Sequence, residues 1–425
     1  MHFGERLRQE RLRRHLSQEA LAEALGVSAK SISRWEQEQA VPQASVRLHL
    51  SRFFGLPPQD LFGDAESLPP PTRLWGVPFP RDPYFTGRED LLHQIHTALW
   101  ADPPTVHTSS CALYGLGGMG KTHLALEYAY RHALSYEAVF WISAQSVESI
   151  LSSFLTIAEL LHLPERQEAD QQRIIAAVQR WLSTQSRWLL IWDNLEEIDW
   201  LPRFQPPAPW GAVLITTQRQ ALGTLTQGLE LLTMTEEEGM LLLLRRAKVL
   251  SPQATSEQMQ QFAMSQPSEY AAARQVVRVL AGLPLALDQA GAYLEETGCG
   301  LSDYLRRYEG QRTQLLRRRG TPAGGHPHSV ASTFGLSCER VEREYPAAVE
   351  LLRISAFLFA EAIPEEVFVT GGFGYEAGQF DLAIAALRTF SLVQRHPQTR
   401  TLSMHRLVQA VIREEMSEQE RARWQ

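Results

Sequence analysis

Lysine is almost missing from this chain. Only Lys30, Lys121 and Lys248 occur, and the other 38 of its 41 Lys-plus-Arg residues are arginine. Cysteine is equally scarce. Cys111, Cys299 and Cys338 lie far apart without metal-ligand spacing, which excludes a disulfide framework and points to a reducing, cytoplasmic setting. No apolar run approaches the roughly 20 residues a membrane span requires, so an integral membrane protein is not expected. The opening Met1-His2-Phe3-Gly4-Glu5-Arg6 turns charged at once and lacks the apolar core of a secretion signal. Positive charge is not in excess either. A net charge of −7 argues against a general polyanion binder, though one domain could still be basic. No internal repeat of about 20–50 residues is visible, which excludes a solenoid within this span.

What is present reads as a multidomain chain. With 425 residues, 44% hydrophobic and 21% charged, it has ordinary globular composition and length for roughly three domains. Residues 1–63 read as a compact helical unit, with nine Arg and Lys against seven Asp and Glu. Residues 64–83 are rich in proline, from Leu68-Pro69-Pro70-Pro71 to Pro83, and suit a semi-rigid linker. Over 84–233, short apolar runs alternate with longer amphipathic stretches, the mark of a parallel α/β sheet. The strand candidates are Cys111–Tyr114, Ala138–Ile142, Trp188–Trp192 and Val213–Thr216. Beyond Met234 the pattern is helical, opening with Thr235-Glu236-Glu237-Glu238, an N-cap followed by first-turn acids. The final Ser417–Gln425 reads as a helix interrupted midway, so a longer parent chain is expected.

One motif carries specific chemistry. Gly115-Leu116-Gly117-Gly118-Met119-Gly120-Lys121-Thr122 fits G-x-x-x-x-G-K-[ST], with an apolar strand before it and a helical stretch after it. Glycines let backbone N–H groups wrap phosphates, and the helix N-terminus adds a favourable dipole. Lys121 would neutralise the β/γ-phosphate charge, and the Thr122 hydroxyl would bind Mg²⁺. A second acidic element is expected at the end of a neighbouring strand. Asp193, closing Arg187-Trp188-Leu189-Leu190-Ile191-Trp192-Asp193-Asn194, occupies that place as metal-orienting and catalytic acid. Asn194 follows where a second acid would serve as general base, and an amide cannot. Glu196 and Glu197 are near enough in sequence to substitute. Any ATPase is therefore expected to be slow.

With those elements in order, residues from about Tyr84 to Gln409 resemble the NB-ARC branch of STAND NTPases. In Phe85-Thr86-Gly87-Arg88-Glu89, the resemblance places Phe85 and Arg88 against the adenine. Ile215-Thr216-Thr217-Gln218-Arg219 is similar to the family's T-T-R sensor, with glutamine where the family has arginine and Arg219 as the candidate γ-phosphate reader. Gly282-Leu283-Pro284-Leu285 resembles the G-L-P-L motif, whose proline (here Pro284) packs on adenine. Met404-His405-Arg406 resembles M-H-D, whose histidine (here His405) reaches the ADP β-phosphate. The third position is arginine rather than aspartate. The resemblance implies a P-loop domain at 84–233, a helical lid at 234–325 and a winged-helix domain at 326–425. Gly115, Gly117, Gly118, Gly120, Lys121 and Thr122 would hold ATP or ADP, with Mg²⁺ on Thr122 and Asp193.

The N-terminal residues resemble a second family. Leu16-Ser17-Gln18-Glu19-Ala20-Leu21-Ala22, then Leu25-Gly26-Val27-Ser28 and Ser31-Ile32-Ser33-Arg34-Trp35-Glu36, are similar to the Cro/C1-type (XRE) helix-turn-helix. Ile32 and Trp35, three apart, would share one buried face. By that resemblance the third helix enters the major groove, with Ser28, Ala29, Lys30, Ser33 and Arg34 facing DNA and Gln18 positioning a phosphate. The chain as a whole is thus expected to be a nucleotide-switched, signal-responsive DNA-binding regulator of bacterial type. It would form homo-oligomers in the ATP state and have no membrane partner. An NLR-like defence or signalling receptor, with the helix-turn-helix as a protein-interaction arm, is the competing expectation.

Overall fold

The computed structural model describes residues 3–14, 16–25, 29–36, 50, 54, 74–100, 109–168, 170–205, 211–222, 227–318, 329–369 and 375–424. They fall into two compact units, Met1–Arg73 and Leu74–Gln425. No helix among the described residues is long and apolar enough to cross a membrane.

The first unit contains α1 (Phe3–Arg13), α2 (Gln18–Leu25) and α3 (Ala29–Glu36). Ser17 starts the second helix by accepting a hydrogen bond from the Ala20 N–H at 3.1 Å. Ile32 and Trp35 turn inward together and pack in a core with Leu7, Leu21, Leu50 and Phe54. The turn at Gly26-Val27 lies outside the described residues, as do Pro42, Val46, Phe53 and Gly55.

The second unit is built on a six-stranded, all-parallel sheet in the order β1-β3-β4-β5-β2-β6. The strands are β1 (Leu74–Gly76), β2 (Ser109–Tyr114), β3 (Ala138–Ser143), β4 (Trp188–Asp193), β5 (Ala212–Thr217) and β6 (Gln227–Glu230). The four apolar runs form the interior strands. β1 lies inside the stretch read above as linker, so the α/β unit begins ten residues earlier than its composition suggests. Three residues pairing with β3 suffice for an edge strand even between prolines.

Successive side chains alternate between two cores, as pleating requires. Val139, Trp141, Leu189, Ile191 and Leu214 face one core with α4 (Glu89–Leu99) and α5 (Lys121–Arg131). Phe140, Ile142, Leu190, Trp192, Val213 and Ile215 face the other with α6 (Val147–Leu160) and α7 (Gln171–Thr184).

The first core continues into the helices that follow, so sheet, lid and C-terminal part share one apolar cluster. The helical segment expected to act as a lid, and called the lid below, comprises α8 (Glu236–Arg246), α9 (Ser256–Ser265), α10 (Pro267–Val279), α11 (Pro284–Thr297) and α12 (Leu301–Arg317). The expected cap at Thr235 is a full capping box with Glu238. The C-terminal part contains α13 (Val330–Glu344), α14 (Pro346–Ser355), α15 (Ala377–Thr389) and α16 (Arg406–Glu415). Its three-stranded antiparallel sheet runs β7-β9-β8, from β7 (Ile363–Pro364), β8 (Gln394–His396) and β9 (Thr401–Ser403).

Candidate functional site

The glycine-rich segment sits at the carboxyl end of β2, directly before α5, where α/β sheets receive their ligands. Gly118 adopts φ +81°, and a Cβ there would lie 3.0 Å from the Leu285 Cβ. A side chain is excluded twice, by backbone and by space. Lys121 is fully buried and donates to the carbonyls of Gly115 at 2.7 Å and Leu116 at 2.9 Å. Burial pushes its ammonium down to about 7, with Asp193 pulling the other way. The Asp193 Oδ1 accepts from both the Thr122 and Thr216 hydroxyls at 2.7 Å. Burial raises the Asp193 carboxyl despite those donors. Thr122 and Asp193, 71 residues apart in sequence, are therefore in direct contact. Among the described residues no group of three His, Cys, Asp or Glu could hold a metal alone.

Two cavities flank the loop. The first, about 100 Å³, is lined by Phe85, Arg88, Gly118, Gly120 and Pro284, bringing together motifs spread over 200 residues. Asp82, Tyr84, His123 and Asp288 complete its wall. The sequence reading did not identify these four. Asp82 and His123 pair at 2.8 Å across 41 residues, a contact with no local sequence signal. Arg88 is fixed by its own backbone, whose N–H donates to Glu238 at 2.8 Å, and by its guanidinium on the Leu232 carbonyl at 2.7 Å. Pro284 starts α11 without needing an N–H donor. Just before it, Gly282 has φ +63°, and a Cβ would approach the Met234 carbonyl to 2.5 Å. The next N–H along the helix, from Leu285, donates to the Gly118 carbonyl at 3.1 Å.

The second cavity, about 440 Å³, lies on the other flank of the loop. Gly115, Leu116 and Met119 line it opposite His405, Ala281 and Arg406. His405 caps α16, its Nδ1 accepting from the Leu407 N–H at 3.2 Å. Its Nε2 is buried without a hydrogen-bond partner among the described residues, and burial pushes the imidazole down to about 4. The Ala281 backbone beside the ring acts in the opposite direction, favouring the protonated form, so the imidazole is a polar group buried next to the loop.

The candidate sensor is placed differently from the expectation. The Arg219 guanidinium binds the Glu196 carbonyl and, at 2.5 Å, the Glu197 carboxylate, and Arg219 lines neither cavity. Gln218 takes the inward position instead, its Nε2 lying 3.8 Å from where a Cβ on Gly117 would stand. Beyond β5 the chain bends, the Arg219 N–H donating to the Thr217 hydroxyl at 3.1 Å, and the two side chains part there. Asn194 has φ 57° and donates its N–H to the Thr216 hydroxyl at 2.8 Å. Glu196 accepts from Arg340 of α13 at 2.7 Å. Both substitute acids are thus already engaged by arginines.

On the N-terminal unit, Arg34 is exposed and Ser33 half-buried. Gln18 donates to Glu36 at 2.7 Å, and Arg11 binds the same carboxylate at 2.6 Å. Ser28 lies outside the described residues, as do the side chains of Ala29 and Lys30.

Comparison with known proteins finds three family matches along the chain. Residues 2–62 match a helix-turn-helix domain, residues 88–249 the NB-ARC domain, and residues 339–421 a domain of unknown function. A nucleotide-binding leucine-rich repeat (NLR)-like protein of Hyaloscypha variabilis is 28% identical over 372 residues. That match covers 80% of this chain and 36% of the relative, so the chain spans about a third of that protein's length. A Walker-type ATPase of Pyrococcus abyssi superposes with a TM-score of 0.52 at 11% identity, over 77% of this chain and 96% of the other. The fold is therefore that of a P-loop ATPase. A STAND protein of Pyrococcus horikoshii with a tetratricopeptide repeat sensor gives 0.33 at 16% identity, over 80% and 44%. The chain joins an N-terminal helix-turn-helix domain to a nucleotide-binding NB-ARC P-loop NTPase core.

Proposed function

We propose that the second unit is an ATP/ADP switch that controls DNA binding by the N-terminal helices, in a signal-responsive transcription regulator of bacterial type. One observation carries the reading. A single eight-residue loop is contacted by the lid through Leu285 and faced across a cavity by His405 of the C-terminal domain. Anything bound to that loop alters contacts of three domains at once, which is what a switch requires.

In this reading Gly115, Gly117, Gly118 and Gly120 offer backbone N–H groups to phosphates, and Lys121 supplies the positive charge. Phe85, Arg88 and Pro284 enclose the base, and His405 offers Nε2 from the second cavity. Thr122 and Asp193 hold Mg²⁺, which would neutralise phosphate charge when bound. Gln218, rather than Arg219, faces the loop, so the γ-phosphate would meet an amide dipole instead of a guanidinium. Asp193 acts as metal-orienting acid in a slow ATPase. ATP-driven homo-oligomerisation in the cytoplasm would bring two DNA-binding modules together on a repeated or palindromic site.

Hydrolysis would be restrained by the pair between Arg340 and Glu196. Freed from Arg340, Glu196 could take a proton from an attacking water. Arg340→Gln is expected to raise single-turnover phosphate release about tenfold, a modest share of what a positioned base contributes. Unchanged release would remove Glu196 from consideration as the base.

DNA recognition is tested at Arg34, whose exposed guanidinium suits a guanine edge. Arg34→Ala should weaken binding by about 1–3 kcal/mol and relax selection at one base pair. Sequences selected from random duplexes at fixed salt, with ATP and then with ADP, provide the measurement. A receptor reading, with the first unit as a protein-interaction arm, is favoured by Gln18 being tied to Glu36 rather than displayed. No enrichment in either nucleotide state would establish that alternative.

A further inference from the structure

A third cavity, about 730 Å³, opens between the lid helices α10 and α12 and the C-terminal helix α16. Four arginines line it, Arg278, Arg312, Arg406 and Arg413, against one acid, Glu309. In a chain of net charge −7 such a concentration is not a general property of the surface. The two rim arginines have carboxylates: Arg278 pairs with Glu236 at 2.8 Å, and Arg406 with Glu361 at 3.5 Å. Arg312 and Arg413, both half-buried, form no ion pair among the described residues. The Arg312 guanidinium stands 5.7 Å from the Tyr308 ring centre, and its Nε is buried without a hydrogen-bond partner. Burial lowers the Arg413 guanidinium, and its neighbour Arg312 lowers it further. Glu414 opposes these effects only in part, and two adjacent, half-buried guanidinium groups with no ion pair of their own among the described residues are favoured by an anion that completes them.

We propose that this cleft binds a small, multiply phosphorylated anion, held by Arg312 and Arg413 at its floor and by Arg278 and Arg406 at its rim. Guanidinium forks match phosphate oxygens two at a time, and arginines spread from floor to rim of a cleft of about 730 Å³ suit an anion carrying more than one phosphate group. The cleft meets the His405 cavity only along Arg278, Ala360 and Arg406, so Arg312 and Arg413 belong to it alone. Its walls come from the lid on one side and the C-terminal domain on the other. A bound anion would tie the two together, a second input independent of the phosphate loop.

The test is calorimetric titration of the full chain, saturated with ADP, with inorganic tripolyphosphate as the probe. One site is expected, with sulfate at equal ionic strength giving at least tenfold weaker binding. Arg312→Gln combined with Arg413→Gln should weaken tripolyphosphate roughly tenfold or more while ADP affinity stays unchanged. Should that pair fail to fold, the exposed Arg278→Gln and Arg406→Gln variants should each weaken it several-fold. Absence of binding to the unaltered protein, or equal affinity in the variants, overturns the proposal. So does a random-sequence duplex that binds the cleft when tripolyphosphate does not, because the surface would then serve nucleic acid. Loss of ADP binding in the unaltered protein would instead refute the nucleotide-switch reading, and the two failures are therefore separable.

Discussion

Lys121→Ala is expected to raise the dissociation constant for a fluorescent ADP analogue by roughly a hundredfold or more, with the fold preserved. Hydrogen bonds to charged groups contribute about 1.5–3 kcal/mol each, and Lys121 can make at least two to phosphate oxygens. The fold should survive because the ammonium's present partners are two loop carbonyls at the end of β2, which water can reach once the side chain is removed. The same residue predicts a pH dependence. With its ammonium at about 7, Lys121 is only partly charged near neutrality. Phosphates will favour the charged form and so raise its pKa in the complex, which means binding takes up a proton. Affinity is then level below pH 7 and falls above it, approaching tenfold per pH unit. Titration in buffers of different ionisation enthalpy measures the uptake directly. Undiminished affinity in Lys121→Ala would dismiss the site.

The largest effect on stability is expected at Arg246. It is almost wholly buried, and its guanidinium binds Asp288 at 2.9 Å and also Glu295, linking α8 to α11. The same group stands 5.4 Å from the Tyr84 ring centre, beside the Pro284 cavity. Arg246→Met keeps most of the aliphatic stem but takes the guanidinium from Asp288, while Glu295 retains Lys248 at 2.5 Å. Removing one partner of a buried pair costs about 3–5 kcal/mol, and partial exposure of the acids favours the lower end. A fall of about 3 kcal/mol in chemical denaturation is expected, with loss of amide protection concentrated in α8 and α11. Saturating ADP at about 100 times its dissociation constant should restore about 2.7 kcal/mol if the lid closes over it. A change below 1 kcal/mol would mean that apolar packing alone secures the lid.

The contrast between these two residues explains what the sequence made legible. Lys121, Thr122 and their glycines are contiguous, so spacing alone declares their chemistry. Asp193 is next most visible, because a strand of five apolar residues leads straight to it. β1 and β6 escape notice for a physical reason. Leu74–Gly76 is three residues beside a proline-rich stretch, and Gln227–Glu230 holds only one large apolar residue. Edge strands of that length need no periodic pattern, since neighbouring backbone supplies their pairing. The walls of the Pro284 cavity were hidden because Asp82, His123 and Asp288 converge through tertiary packing. The inward turn of Gln218 in place of Arg219 is a matter of one residue's phase at the end of β5. Nothing in composition fixes that phase. The arginine cleft was hidden for the same reason, its four guanidinium groups coming from three helices between Arg278 and Arg413.

The hydrogen bond from the Leu285 N–H to the Gly118 carbonyl has a kinetic consequence. It is made between main chains, so no side-chain substitution by drift or selection can tune it directly. A nucleotide seated between the loop and Pro284 cannot depart until this clasp and the apolar contacts around it break. Dissociation would then be timed by the opening of the lid rather than by the strength of phosphate contacts. ADP and a non-hydrolysable ATP analogue should leave at nearly the same rate even where their affinities differ, and ADP should copurify with the protein. Exchange factors, or the signal itself, would act by prising Leu285 from the loop.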